Sequence, residues 1–137
     1  EVLITQCGVD HHHGDPLSHL QTTMPLYPEL WRGLREAADT LCDGRWVALG
    51  GGGYDPCNAP PRAWAALIAE MAEDTIPDDV PESWRQTMVG AECPEPPVGW
   101  LDDADPGAEK STAANGTARA IRETLQAVSG HLGLRSD

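Results

Sequence analysis

The sequence predicts an α/β fold built on a parallel sheet. Two short apolar runs, residues 2–5 and 46–49, have the length and composition of buried strands, and a helical pattern separates them. A strand, a helix and a second strand in this order form one right-handed βαβ crossover with parallel strands. Glycines follow both runs, at Gly8 and at residues 50–53, where strands of such sheets commonly lead into ligand-binding loops.

The first helix is expected from about Pro28 to Leu41, after a loop over residues 6–25. Proline is tolerated in the first turn of a helix, and Gly44 is placed to end it. The apolar positions that recur at helical spacing, and that we expect to face the core, are Leu30, Leu34, Ala37 and Leu41.

The second helix is expected to follow the glycines and to end at about residue 72. Asn58 is placed to cap its first turn, because an asparagine side chain can accept from the first free backbone N–H groups. The residues that share its apolar face, and should pack on the sheet, are Trp64, Leu67, Ile68 and Met71.

The last third of the chain has a different composition. Residues 74–112 hold six prolines and an acidic cluster, which favours a surface wrap with one short helical piece over residues 81–88. A final amphipathic helix is expected, with Gly130 near its end, from the spacing of Ile121, Leu125, Val128 and Leu132. We therefore divide the chain into residues 1–90 and an irregular region, residues 91–137.

Composition excludes two classes of partner. The net charge of −13, with only nine Lys and Arg scattered singly, repels nucleic-acid phosphates and anionic membrane surfaces. The sequence shows no signal peptide and no apolar run of membrane-spanning length. The four cysteines have no CxxC spacing, so we expect free thiols in a cytoplasmic protein; they are Cys7, Cys42, Cys57 and Cys93.

Two parallel strands do not make a complete sheet. Each predicted strand is apolar on both faces, and natural proteins cover such faces and edges. We expect the cover to come from more of the same chain, a partner subunit or a second copy.

The loops after the strands carry the candidate chemistry. Residues 10–15 (DHHHGD) concentrate carboxylates and imidazoles that suit zinc, but the spacing does not select which of them bind. The histidines at 11–13 are therefore either a solvated loop or metal ligands. The glycines at 50–53 allow a tight turn or a close ligand approach. A phosphate-binding loop is disfavoured, because Asp55 stands where a glycine is needed and no Gly-Lys-Ser/Thr follows.

Several ordered motifs resemble histone deacetylases and their bacterial acetoin-utilisation relatives. They are residues 5–10 (TQCGVD), 14–17 (GDPL), 49–54 (LGGGGY) and 62–64 (RAW). The bacterial branch is more similar, because residues 15–20 (DPLSHL), 44–48 (GRWVA) and 80–85 (VPESWR) also match it. The resemblance covers residues 1 to about 90 and implies the C-terminal portion of a three-layer α/β/α deacetylase fold with a parallel sheet.

The resemblance assigns roles to four residues. It implies that Asp10 is a zinc-binding carboxylate and that Tyr54 is the hydroxyl that hydrogen-bonds the scissile carbonyl oxygen. It implies that Leu17 is an apolar wall of the acyl-lysine tunnel and that Gly52 lines the same tunnel with backbone. Zinc would act as a Lewis acid while the phenol stabilises the developing oxyanion. Asp15 is expected to order its own loop rather than touch substrate.

The resemblance also marks what these residues lack. In the family, the other zinc ligands and the histidine pair that handles the proton lie upstream of this segment. We therefore expect a C-terminal part of a zinc-dependent amidohydrolase that is inactive by itself, does not hold zinc tightly, and acts in the intact parent on acetylated lysine or acetylamines. Its partner would be the N-terminal remainder of the fold or a self-associating copy. The alternatives are a non-catalytic interaction module with a histidine-rich metal-touching loop and, ranked last, a nucleotide-binding half-domain.

Overall fold

The computed structural model describes residues 1–77, 79–91, 93, 95–101 and 122–123. Residues Glu1–Asp103 form one compact unit and Ala104–Asp137 a second. The order of elements in the first unit is β1 (Leu3–Gln6), α1 (Leu26–Cys42), β2 (Trp46–Leu49), α2 (Ala59–Met71) and α3 (Glu82–Gly90). None of the described helices is both long and apolar enough to cross a bilayer. The final helix predicted over residues 121–132 lies outside the described residues, except for Arg122 and Glu123, which are helical.

The α/β prediction with a parallel sheet is confirmed. Strand β1 pairs in parallel with β2, with Leu3 opposite Trp46 and Gln6 opposite Leu49, and α1 connects them. The pairing continues one step beyond the strands, because the N–H of Cys7 donates to the carbonyl of Leu49 at 2.8 Å. Both loops therefore leave the sheet at the same edge, as expected for the carboxyl ends of parallel strands.

Only one face of the described sheet is covered. Trp46 and Ala48 pack against the core beneath the helices. The alternate residues Ile4 and Val47 are 61% and 45% exposed, so the other face is uncovered within this part of the chain, as expected for an incomplete sheet. The period of two along a strand separates the two sets of side chains.

Helix α1 has the expected place but buries a different stripe. Pro28 lies in its first turn, and Asp43, in a left-handed conformation, ends it. The predicted face is only partly right, because Leu34 packs against the core as expected but Leu30 and Leu41 are exposed. The buried residues are Tyr27, Trp31, Ala38 and Cys42. The two aromatic side chains bury the larger apolar area, and this decides which face of the helix turns inward.

Helix α2 differs from its prediction in capping and in part of its face, although Leu67 is buried and Trp64 packs against the core as expected. Ile68 is exposed, whereas small side chains bury the contact with the core: Ala59, Ala63 and Ala66, with Leu67 beside them. Asn58 occupies the N-cap position but its side chain accepts no hydrogen bond from the backbone of the first turn, and its Oδ1 accepts instead from the guanidinium of Arg62. Two prolines in the first turn remove backbone N–H groups that a cap would satisfy, which leaves Asn58 available to Arg62.

Two indole donors tie α1 and α2 into the core. The Nε1–H of Trp31 donates to the carbonyl of Ala63 at 2.9 Å, which joins the two helices. The Nε1–H of Trp64 donates to the carbonyl of Cys7 at 2.8 Å, which joins α2 to the end of β1. Tryptophan is well suited to these places because it combines a large apolar surface with one donor that must find an acceptor when buried.

A disulfide corrects the prediction of four free thiols. Cys57 and Cys93 are bonded, with their Cα atoms 5.6 Å apart, whereas Cys7 and Cys42 are free and buried. The spacing of cysteines along a chain does not define their pairing, which depends on tertiary contacts. Because two of the thiols are oxidised, the argument from free thiols to a cytoplasmic location no longer stands.

The segment of residues 79–101 is attached at two places, at Cys57 just before α2 and at Arg62 within it. One is the disulfide, and the other is Arg62, which is 2% exposed and donates to the carbonyls of Gly99 and Trp100 at 3.4 and 3.3 Å. Helix α3 within this segment was predicted over residues 81–88 and is confirmed, although it buries none of its residues. A cavity of about 180 Å³ separates the segment from α2 and is lined by Pro61, Arg62, Ala65, Val80, Pro81, Trp84 and Trp100.

Candidate active-site edge of the sheet

The loop after β1 and the glycine loop after β2 are in direct contact. The N–H of Val9 donates to the carbonyl of Gly52 at 2.6 Å, so the two loops continue side by side beyond the sheet. This closeness was predicted from the parallel order of the strands. It brings Asp10, the residue after Val9, next to the glycines.

Asp10 packs on the backbone of Gly52. A Cβ atom built on Gly52 would lie 2.5 Å from Cγ and 2.9 Å from Oδ1 of Asp10, closer than non-bonded atoms approach. The glycine is therefore required at this place because any side chain would displace the carboxylate. The candidate metal ligand and the candidate tunnel glycine, 42 positions apart in sequence, are neighbours in the fold.

The turn between the glycines and α2 also depends on glycine. Gly53 has a φ of 156°, and a Cβ there would lie 2.9 Å from Cγ2 of Val9 and 3.0 Å from Cγ of Pro60. This close packing at Gly53 lets the chain turn from β2 into α2 with Tyr54 on the surface. Tyr54 is 51% exposed at this edge of the sheet.

Asp15 joins the two loops. Its Oδ1 accepts from the backbone N–H groups of Leu17 at 2.9 Å and Ser18 at 3.0 Å, which confirms the prediction that it orders its own loop. Its Oδ2 accepts from the N–H of Tyr54 at 2.8 Å, a contact that sequence reasoning missed. Nothing in the spacing of two residues 39 positions apart indicates such a bond.

The environment of Asp15 favours its ionised form. Burial would raise the pKa of Asp15, but the hydrogen bond from the Tyr54 N–H and the two bonds from its own loop act in the opposite direction. These bonds hold the pKa of Asp15 below its ordinary value. An ionised carboxylate accepts at both oxygens, as this bridge requires.

Leu17 lies on the same loop, with its side chain 66% exposed. Its N–H and that of Tyr54 donate to the two oxygens of one carboxylate, which places their backbones on opposite sides of Asp15. The structure thus brings together all four predicted site residues: Gly52 contacts Asp10, and Asp15 links Leu17 to Tyr54. An apolar side chain and a phenol are both exposed at this edge.

Two of the histidines after Asp10, His11 and His12, make contacts that stabilise their own loop. His12 is 1% exposed, so the interpretation of a solvated loop is wrong for this residue. Its Nδ1 accepts from the N–H of Gly14 at 3.1 Å, and its ring stacks near that of Tyr27. The carbonyl of His11 accepts from the backbone N–H and the hydroxyl of Thr22, which closes the loop on itself. These contacts explain the order of this segment without a ligand.

The carboxylate and imidazole groups of the described residues do not form a complete metal site. Within the part of the chain that the structure describes, no three His, Cys, Asp or Glu side chains lie close enough to hold one ion. Protein zinc sites use three or four such ligands. By itself, Asp10 with its described neighbours does not fit a zinc ion.

Comparison with known proteins agrees with the family that the motifs resemble and with the α/β fold. The Histone deacetylase domain matches residues 1–71. Acetoin utilization protein AcuC of Bacillus subtilis (strain 168) is 36% identical over 132 residues, which cover 93% of this chain and 34% of that protein. Acetoin utilization protein AcuC of Staphylococcus xylosus is 30% identical over 106 residues, or 77% of this chain and 28% of that protein. The chain spans about a third of these relatives, and it belongs to the histone deacetylase family.

Proposed function

We propose that this chain is the C-terminal portion of a zinc-dependent deacetylase that hydrolyses the amide bond of acetyl-lysine or a related acetylamine. The observation that carries the proposal is the contact of Asp10 with Gly52 beside Tyr54, whose backbone N–H is held by Asp15. Membership of the histone deacetylase family supports it.

Tyr54 is proposed to act as a hydrogen-bond donor to the carbonyl oxygen of the scissile amide. Negative charge develops on that oxygen as the amide carbon becomes tetrahedral, and a fixed donor stabilises it more in the transition state than in the ground state. The exposed ring and the anchored backbone of Tyr54 support this role.

Leu17 and Gly52 are proposed to contact the substrate side chain. The exposed leucine offers apolar surface to the methylene groups of lysine, which lose contact with water as the side chain enters. Gly52 offers its backbone to the substrate, because the space that a side chain would fill is already taken by the carboxylate of Asp10. Acetylated lysine and acetylated amines share the features that these two residues would recognise.

Asp10 is proposed as one ligand of the zinc ion of the complete enzyme. Because the described residues alone do not fit zinc, we assign it no step here, and the remaining ligands would come from outside these residues. We therefore propose that the chain by itself hydrolyses no acetyl-lysine.

A second candidate function is a non-catalytic interaction module that associates through the exposed face of the sheet. The apolar side chains of Ile4, Val47 and Leu49 favour it, because this face has no cover among the described residues. Sedimentation of the chain with and without zinc distinguishes the two. A monomer that binds no zinc contradicts the interaction module.

The test of the deacetylase is hydrolysis of an acetyl-lysine peptide by the complete enzyme that contains this chain, with its zinc content measured. Tyr54→Phe removes only the hydroxyl and is expected to lower kcat about 100- to 1000-fold, the usual effect of removing an oxyanion donor. Zinc content should stay unchanged. Equal rates for the two proteins would exclude the role given to Tyr54, and absence of hydrolysis by the zinc-loaded wild type would exclude the proposed reaction.

A further inference from the structure

We propose that Asp15 is the positioning residue of Tyr54: its carboxylate fixes the backbone from which the catalytic hydroxyl projects. The inference rests on the proposed function of Tyr54 and deepens it. Asp15 itself touches neither substrate nor metal in this proposal, because both of its oxygens are occupied by backbone N–H groups.

The two oxygens of the Asp15 carboxylate bind different loops, and we call their hydrogen bonds the Oδ1 arm and the Oδ2 arm. The Oδ1 arm binds Leu17 and Ser18 on the loop after β1, and the Oδ2 arm binds Tyr54 on the loop after β2. Asp15 is only 9% exposed, so water competes weakly for these bonds. A charged acceptor that is shielded from water forms stronger and shorter hydrogen bonds than a neutral one.

Tyr54 depends on this anchor more than most tyrosines would. Tyr54 is half-exposed, and its hydroxyl makes no hydrogen bond to any residue that the structure describes, so no polar contact of the side chain fixes its position. It also follows four consecutive glycines, which have the largest conformational freedom of all residues. The N–H bond to Asp15 is thus the first polar restraint after the glycines.

Other contacts already hold the glycine loop to its neighbour. The bonds from Cys7 to Leu49 and from Val9 to Gly52 fix the backbone up to residue 52 and do not involve Asp15. Loss of the Oδ2 arm should therefore leave the sheet edge and α2 in place and release only the backbone at Tyr54 between them. Displacement of a catalytic group by about 1 Å is enough to reduce a rate about 100-fold.

The test is a double-mutant cycle in the complete zinc-loaded enzyme with Asp15→Asn and Tyr54→Phe. An asparagine cannot accept on both arms, because one of its two positions is a donor. We expect Asp15→Asn to lower kcat about 10- to 100-fold with KM nearly unchanged, and to lower it less than about twofold further when Tyr54 is already Phe. Asp55→Asn is the matched control, since it removes a carboxylate next to Tyr54 that makes no hydrogen bond to the described residues, and it should leave kcat within about twofold.

An equal loss from Asp15→Asn in both backgrounds would overturn the proposal, because it would show that Asp15 does not act through Tyr54. If Tyr54→Phe itself has no effect, the proposed function fails instead, so the two failures are distinguishable. Should Asp15→Asn not fold, replacing the Tyr54 amide by an ester through the α-hydroxy acid of tyrosine removes the N–H and keeps both side chains. We expect the same kcat loss from this ester and none from an ester at Asp55, whose N–H donates to no described residue; equal rates for the two esters would also overturn the proposal.

Discussion

The buried hydroxyl of Tyr27 donates to the carbonyl of Val9 at 3.1 Å, which connects the start of α1 to the residue before Asp10. The chain therefore has two tyrosines with opposite positions, since Tyr27 is fully buried and Tyr54 is half-exposed. Tyr27→Phe should lower the free energy of unfolding by about 1 kcal/mol, the usual net value of one buried hydrogen bond. Urea denaturation checks this. Tyr54→Phe serves as its control and should unfold like the wild type; an equal loss in both variants would contradict the assignment of Tyr27 to the core.

Gly52 and Gly50 form a matched pair for testing the support of Asp10. A methyl group on Gly52 would collide with the carboxylate of Asp10, whereas no atom of the residues that the structure describes lies within 4 Å of the corresponding position on Gly50. In the complete enzyme, Gly52→Ala should weaken zinc binding about 10- to 100-fold, the scale seen when the support of a metal ligand is disturbed. Gly50→Ala changes the same atoms and should weaken it less than about twofold. Equal zinc affinities, measured by competition with a chelator, would remove Asp10 from the metal site.

The Cys57–Cys93 disulfide closes a loop with a sequence separation of 36 residues. Its loss should lower the free energy of unfolding by about 3 to 4 kcal/mol, because the reduced unfolded chain regains the entropy that the bond removes. Cys57→Ser with Cys93→Ser, compared with Cys42→Ser, isolates this effect. Thiol titration under denaturing conditions should find two free thiols before reduction and four after it. Four thiols in the unreduced protein would contradict the bond.

The lowered pKa of Asp15 predicts how stability depends on pH. The unfolded state, with the higher pKa, binds the proton first, so the contribution of Asp15 is complete above its unfolded pKa of about 3.9 and is lost as pH falls through the folded value. Wild type and Asp15→Asn should therefore differ most in melting temperature near neutral pH and converge below pH of about 4. The other carboxyl groups titrate in both proteins, which makes the difference specific to Asp15. A difference that stays constant from pH 6 to 3 would contradict the ionised bridge.

The pairing of the two loops could be predicted from the sequence because it follows from a general property of parallel sheets. Once residues 2–5 and 46–49 are assigned as strands joined by one helix, their carboxyl ends must meet, and Asp10 and Gly52 lie just beyond them. Local composition is enough to place such residues near each other.

Other features depend on information that local patterns do not contain. The stripe that α1 buries is set by Tyr27 and Trp31, whose partners are the carbonyls of Val9 and Ala63 in distant parts of the chain. The hydrogen bond from the N–H of Tyr54 to Asp15 likewise joins residues that are distant in the sequence. A spacing rule gives the period of a helix but not its rotation toward the core, which packing and buried donors decide.

Asn58 shows how a local rule is overridden. Asparagine before a helix is favoured as a cap because free N–H groups need acceptors, but prolines at positions 60 and 61 remove that need. The side chain of Asn58 instead accepts from Arg62, a buried cation that requires partners more strongly than the helix end does.

Arg62 gives the segment of residues 79–101 an attachment that does not depend on oxidation. Its guanidinium holds the carbonyls of Gly99 and Trp100 beside α2, while the sulfur bridge at Cys93 holds a second point on the same segment. A reducing compartment would break the disulfide and leave the hydrogen bonds of Arg62 intact. The region around Tyr54 at the start of α2 can therefore keep its position in both oxidising and reducing compartments.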